Sequence, residues 1–404
     1  MKNQKLRFAV IGARRGTTFI RASQALGADV ELSAVCDISA EALQPWREET
    51  GLKLYENYEQ VLDDPEVDAV CLATPVPYHA RQAIAALQAG KHVMSEVTAA
   101  YTLEECWDLV RAVEQSGLTY MMAENYCYSE PVLQIQHMVE QGVFGDLIYA
   151  AGSYIHDCRE LFFSPDGGLT WRGQIRRERT GNTYPTHSLG PVAKWLGINQ
   201  TDFFDTTASW QSPSRAKSHY AQRNWPDKED YLNPTFWNHP DTVSTTLHTE
   251  RGVLVDIRVD WSSPRPHHMT RYELQGTTAS FCWPDGLAGR DPLIWIEDRS
   301  ETRPSGVAKE WDSLWKYREE FQHPLWREHR AAAEKTGHGG GDYFVLREFV
   351  TSIRENRAPA INVYDAVTWS CLTPLSEESI ARGNIPVKVP RFQEGTRQDL
   401  SNGR

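Results

Sequence analysis

Tyr184 and His187 stand three residues apart in the stretch Gly181-Asn182-Thr183-Tyr184-Pro185-Thr186-His187-Ser188-Leu189-Gly190-Pro191. If this stretch opens a helix, the spacing brings a phenol and an imidazole to one face, where two groups can handle the protons of a bound sugar. Polar and glycine-rich neighbours on both sides favour a site over a histidine sealed in a core. A second polar and aromatic stretch, Gly152-Ser153-Tyr154-Ile155-His156-Asp157, has a similar texture. A serine nucleophile is not expected, because no G-x-S-x-G elbow occurs. No metal is expected either: His267 and His268 are adjacent, as are His156, Asp157 and Cys158, and adjacent donors lack the spacing of a preformed zinc site.

The N-terminal segment offers different chemistry. Phe8-Ala9-Val10-Ile11 leads into Gly12-Ala13-Arg14-Arg15-Gly16-Thr17, a turn that would present backbone N–H groups and a helix start to a pyrophosphate. Arg14 and Thr17 occupy positions where a strict G-x-G-x-x-G has glycine. The next strand-like run ends Val35-Cys36-Asp37, and an acid roughly 20 residues past the turn accepts hydrogen bonds from a ribose 2′-hydroxyl. Its carboxylate would repel a 2′-phosphate, so Asp37 points to NAD rather than NADP.

The elements that must position these groups are legible as two textures. Residues 1–125 alternate apolar runs (Leu6–Gly12, Glu31–Asp37, Val67–Thr74, His92–Glu96, Thr119–Asn125) with helical patterns at Ala40–Thr50, Tyr78–Ala89 and Leu103–Ser116. That alternation predicts an α/β fold, a doubly wound parallel sheet of the Rossmann type whose ligand sits at the carboxyl ends of its strands. Thr74-Pro75-Val76-Pro77-Tyr78-His79 and Ser95-Glu96-Val97 fall at such ends. Residues 126–404 carry long strand-like runs (Leu147–His156, Thr242–Thr249, Val253–Trp261, Tyr272–Gln275) without regular helices between them. They predict an α+β domain with an open, mostly antiparallel sheet. Ser212–Asp241, rich in Pro, Trp, Asn and Asp, reads as a long irregular loop serving as a lid or interface. Helices over Asp342–Arg354 and Tyr364–Arg382 close the chain, with the option of packing back on the first domain.

The chain's 404 residues suggest two or three domains. With 40% hydrophobic and 24% charged residues, it has the balance of a globular protein. The 42 Lys and Arg against 54 Asp and Glu leave a net charge of −12, which disfavours nucleic acids and anionic membranes as partners. The start MKNQKLRFAVIG runs directly into a strand without a signal-peptide pattern, and the seven cysteines are scattered without a CxxC pair. A cytoplasmic protein with reduced thiols is the expectation.

The order of these segments resembles the glucose-fructose oxidoreductase and inositol dehydrogenase family, which joins a Rossmann domain to an open-sheet sugar domain. Dehydrogenases of that family end their fourth strand in Glu-Lys-Pro, and the lysine helps move the hydroxyl proton. Here the residues are Glu96-Val97-Thr98. These, with Asn125, the Tyr154 and Tyr184–His187 stretches and Gly337-His338-Gly339-Gly340-Gly341-Asp342, are similar to glycoside hydrolase family 109, the NAD-dependent α-N-acetylgalactosaminidases. The resemblance implies that Arg15, Gly16, Asp37, His79, Glu96, Val97 and Asn125 serve NAD, beside Gly12 and Thr74, which the strand-end turns already place there. It further implies that Tyr154, Arg172, His267 and His338 meet the sugar beside Tyr184 and His187. The family has Ser-Pro-Arg-Pro-Tyr where this chain has Ser263-Pro264-Arg265-Pro266-His267, a change that bears on sugar specificity.

The resemblance implies a glycosidase that oxidises carbon 3, eliminates the aglycone, adds water and re-reduces the sugar, with NAD recycled in place. Its partner would be a small-molecule glycoside, N-acetylated or anionic, and its assembly a homodimer or homotetramer. The run Arg172, Arg176, Arg177, Arg179 reads either as a clamp for an anionic sugar or as a solvated face. A plain NAD-dependent sugar or cyclitol dehydrogenase and a non-catalytic NAD- and sugar-binding protein are the rival readings.

Overall fold

A computed structural model describes residues 5–27, 29–48, 51–266, 268–284, 290–301 and 310–393, with the side chains of residues 268–270 excepted. His267 therefore lies outside the described residues. The chain forms two compact units. The first runs through Val132 and takes in His323–Cys371 and the residues from Arg391 onward; the second comprises Leu133–Gln322 and Leu372–Pro390.

The first unit is built on six parallel strands: β1 (Leu6–Ile11), β2 (Val30–Cys36), β3 (Lys53–Tyr55), β4 (Ala69–Leu72), β5 (His92–Ser95) and β6 (Tyr120–Met122). Their order is β3-β2-β1-β4-β5-β6, all neighbours parallel. Chain direction across the sheet switches between β1 and β4, and ligands of such sheets bind at the carboxyl ends beside that switch. The last four residues of β1, and β4 throughout, are buried, as expected of strands covered on both faces. Local chemistry sets the helix ends. Thr102 and Glu105 form a reciprocal capping box at the start of helix Leu103–Ser116, and Gly117 ends it in the left-handed region. The helix expected over Ala40–Thr50 is shorter: Ala40–Leu43, followed by a 3-10 turn Gln44–Trp46 that contains Pro45.

The second unit is a nine-stranded sheet of β7 (Leu147–Ile155), β8 (Phe204–Gln211), β9 (Thr242–Thr249), β10 (Leu254–Asp260), β11 (His268–Gly276), β12 (Ala279–Trp283), β13 (Leu293–Ile296), β14 (Asp312–Ser313) and β15 (Val387–Lys388). The order is β14-β13-β12-β11-β7-β10-β9-β8-β15, and only β7 and β10 pair in parallel. That parallel pair brings Tyr154 beside Val259 and places the start of the next loop, Trp261, at the same end of the sheet. One face of β7 packs on the helix Thr186–Trp195, so closely that a Cβ on Gly152 would lie 1.9 Å from the Ser188 carbonyl oxygen.

Two further expectations, beside that over Ala40–Thr50, differ from the structure. The helix expected over Tyr364–Arg382 is two helices, Val363–Ser370 and Leu372–Ala381, because Pro374 has no N–H to continue the ladder. Ser212–Asp241 is not irregular: it holds helices Ala216–Asn224 and Glu229–Leu232 and a 3-10 turn Pro234–Phe236. Its aromatic residues form a small core of their own. Trp225, Tyr231 and Trp237 gather around Phe163 with ring centroids 4.5, 5.7 and 5.8 Å away.

Inside this segment Lys217 is fully buried, 2.9 Å from Asp241 Oδ1, and donates to the Pro240 carbonyl and Ser262 Oγ. Burial pushes its ammonium down to about 8 against the pull of Asp241. Asp241 also accepts the backbone N–H groups of Arg215 and Ala216. The two partners are therefore unequal. Asp241→Asn, which strips the buried ammonium of its counter-charge, should cost about 3–5 kcal/mol in denaturant unfolding, whereas Lys217→Met should cost less, because the remaining carboxylate keeps two backbone N–H donors. Equal losses in both variants would contradict this asymmetry. Among the described residues no helix is long and apolar enough to cross a membrane.

Candidate active site

In the first unit the residues expected to serve the cofactor follow the carboxyl ends of the parallel strands, on both sides of the β1–β4 switch. Gly12 ends β1 at φ +96°, a conformation that L side chains rarely adopt, and a Cβ there would lie 2.6 Å from the Ala73 carbonyl oxygen. The helix Ala13–Leu26 starts immediately afterwards with no side-chain cap from its N-cap residue, the arrangement that receives phosphate oxygens. Gly16 faces the sheet, where a Cβ would meet Val10 Cγ1 at 2.1 Å. Asp37, at the end of β2, accepts the Ala13 N–H through Oδ2 at 2.8 Å and the Ser39 N–H through Oδ1 at 2.9 Å. Each oxygen keeps acceptor capacity for ribose hydroxyls.

Arg15 lies 2.7 Å from Glu96 Oε1. Val97 is buried, and the peptide bond that joins it to Thr98 is cis. Thr74 donates through Oγ1 to Gln82 Oε1 at 2.6 Å. The buried ring of His79 bridges two backbone carbonyls, Nδ1 to Thr98 at 2.9 Å and Nε2 to Thr74 at 2.8 Å. Burial pushes His79 down, against the hydrogen bonds its ring donates to those carbonyls. A neutral ring carries one N–H and donates to one of the two carbonyls, at the end of β4 or in the turn after β5.

Asn125 follows β6 and donates through Nδ2 to Asp342 Oδ1 at 2.8 Å, while its own Oδ1 is buried without a hydrogen-bond partner among the described residues. The buried Thr98 Oγ1 likewise has no partner. Buried polar atoms without a partner, at the same carboxyl end of the sheet as the Gly12 turn and Asp37, fit a dinucleotide, with Asn125 Oδ1 ready to accept from an amide or hydroxyl. His338 also belongs to this unit; its Nδ1 lies 2.8 Å from Asp342 Oδ2, and its ring meets the edge of Tyr126 at 6.4 Å between centroids.

In the second unit Tyr154, Tyr184, His187 and Trp261 form one aromatic cluster. The centroid of Tyr154 lies 5.7 Å from Tyr184, 5.1 Å from His187 and 6.0 Å from Trp261, and Tyr184 lies 4.7 Å from Trp261. Tyr184 precedes the helix Thr186–Trp195 and His187 sits in its first turn, so phenol and imidazole do meet: Tyr184 Oη is 3.5 Å from His187 Nε2. That is the outer limit of a hydrogen bond, and such contacts tighten when substrate is bound. The His187 backbone is held by the Tyr272 hydroxyl, which donates to its carbonyl.

The four arginines of the run sit in different surroundings, Arg177 exposed and Arg176 buried. Arg172 lies over Trp171 at 4.3 Å, and Arg177 over Phe236 at 4.9 Å. Arg179 forks onto Glu377 at 2.9 and 2.8 Å. Arg176 is buried, lies 4.4 Å over Trp261 and donates to Thr183 Oγ1, directly behind Tyr184. Spacing alone gives Asp342, just after Gly339–Gly341, no role, and the run of like charges does not single out Arg176 from its neighbours.

The parallel sheet, glycine turn and strand-end acid make the first unit an NAD-binding Rossmann domain, and residues 6–124 match the family model for the oxidoreductase family NAD-binding Rossmann fold. Residues 128–399 match the model for the glycosyl hydrolase 109 C-terminal domain. A glycosyl hydrolase family 109 protein of Solibacter usitatus is 33% identical, covering 98% of this chain and 91% of its own length; one of Stenotrophomonas maltophilia is also 33% identical, covering 98% and 90%. The chain belongs to glycosyl hydrolase family 109. In fold it is similar to levoglucosan dehydrogenase in complex with NADH, with a TM-score of 0.76 at 20% identity, over 96% of this chain and 100% of that one.

Proposed function

We propose that this protein is an NAD-dependent glycosidase that breaks the glycosidic bond by elimination. The observation that carries the reading is the pairing of Tyr184 and His187 within an aromatic cluster of Tyr154 and Trp261, in a chain with Val97 where a dehydrogenase of this fold would have lysine. Tyr154 and Trp261 offer apolar ring faces on which a pyranose can lie. Gly12, Asp37 and Asn125 would hold NAD+, which would supply a reversible hydride acceptor for carbon 3 with no net consumption.

The protein's own work is proton handling. With carbon 3 a ketone, the carbon 2 proton is acidic, and the Tyr184–His187 pair removes it. The electron pair left on carbon 2 forms the carbon 1–carbon 2 double bond, and the aglycone leaves carbon 1 with its bonding pair, taking up a proton. Water adds at carbon 1, and a proton returns to carbon 2. Oxidation at carbon 3 also releases the hydroxyl proton; buried Val97 cannot take it, so it passes to water and is recovered when the ketone is reduced again.

A panel of nitrophenyl α- and β-glycosides, including N-acetylated and anionic sugars, tests the reading. Nitrophenol should appear with one member, at many turnovers per NAD+ added. Accumulation of NADH from a free sugar, with no nitrophenol from any member, would make the protein a dehydrogenase.

A further inference from the structure

Asp342 is 1% exposed, on the first turn of the helix Gly341–Glu355, and its two oxygens serve different partners. Oδ1 accepts from Asn125 Nδ2 and Oδ2 from His338 Nδ1, both at 2.8 Å. Burial opposes the charge on this carboxyl, but His338, Asn125 and the nearby Arg15 outweigh it and hold Asp342 below the usual carboxylate range. An ionised carboxylate can only accept. Asn125 must therefore turn its NH2 toward Asp342 and its oxygen away, and that oxygen is the buried acceptor without a partner. His338 must carry its proton on Nδ1, so a neutral ring keeps its lone pair on Nε2.

The glycines around this carboxylate leave it room. A Cβ on Gly337 would lie 2.5 Å from Asp342 Oδ2, and one on Gly341 would lie 2.5 Å from the Asn125 carbonyl oxygen. We propose that Asp342 is a positioning residue that sets two polarities at once, turning the Asn125 oxygen toward the dinucleotide and fixing His338 with Nε2 as its acceptor. The inference rests on Asn125 meeting NAD, but its first readout needs no cofactor.

The test is Asp342→Asn. An amide has one acceptor and one donor side, so it can satisfy only one of the two neighbours in their present orientation. Asn125 is almost wholly buried and the His338 side chain is 26% exposed, so the expected outcome is that Asn125 keeps its acceptor and His338 gives way. Nitrogen NMR of the 15N-histidine-labelled, cofactor-free protein at pH 8.5 should then show the His338 proton moved from Nδ1 to Nε2, with the signal assigned by loss in His338→Ala. An amide seated the other way round would keep the tautomer but weaken NAD+ binding about tenfold or more in calorimetry, which also supports the inference.

The exchange variant, which combines Asn125→Asp with Asp342→Asn, keeps one buried carboxylate and rebuilds the acceptor–donor chain in the opposite sense. It should restore whichever property the single variant lost, with the melting temperature recorded for all forms. Asp342→Asn with unchanged His338 tautomer and unchanged NAD+ affinity would overturn the proposal. So would an exchange variant that melts normally but restores nothing.

Discussion

His187→Ala should lower kcat on the responsive glycoside about 100-fold or more, the usual contribution of a positioned proton carrier, while KM moves much less. The expectation rests on what surrounds the ring. His187 is buried in the cluster with Tyr154, and its Nε2 faces the Tyr184 hydroxyl. Its backbone is fixed by Tyr272 whatever side chain it bears. Tyr184→Phe removes a single oxygen from the same pair and should give a loss of the same order. Because the two act as a unit, the double variant should be little worse than either single one. Near-normal turnover in His187→Ala would remove it from the mechanism.

Gly12→Ala should weaken NAD+ binding tenfold or more and destabilise the first unit by about 1–3 kcal/mol. Two costs combine at this position. The backbone lies at φ +96°, and a Cβ would press within 2.6 Å of the Ala73 carbonyl oxygen, 2.7 Å of its carbon and 3.0 Å of the Thr74 nitrogen. Relief requires β1 and β4 to part just where the dinucleotide is expected. Gly117→Ala is the control, at φ +63° with nothing within 4 Å of the new Cβ. It should show conformational strain in the melting temperature and leave the NAD+ affinity unchanged. Equal affinity losses in the two variants would detach the turn from cofactor binding.

The sequence made some of this architecture legible, and the reason is locality. Gly12, Asp37 and Thr74 each follow a strand in the chain, so reading the strands places them at one edge of the sheet. Tyr184 and His187 likewise depend only on helical spacing within a few residues. What escaped depends on contacts between distant segments. Asn125 and Asp342 are 217 residues apart and meet through side chains. Arg176 gains its place behind Tyr184 from Trp261, which a strand read in isolation cannot foretell. The Ser212–Asp241 segment looked like a loop because Pro, Asn and Asp dominate its composition. Its order comes from a few aromatic rings closing on Phe163 and from a buried lysine that is charged in any local reading.

The central claim is that the bond breaks by elimination after oxidation at carbon 3, and the carbon 2 proton tests it most directly. The responsive glycoside should be turned over in D2O with NAD+ at one equivalent of protein and the sugar product examined by NMR. The account predicts one deuterium at carbon 2 in nearly every product molecule, over many turnovers per NAD+. Hydrolysis that leaves the original proton at carbon 2 would contradict it, because direct displacement at carbon 1 never breaks that bond.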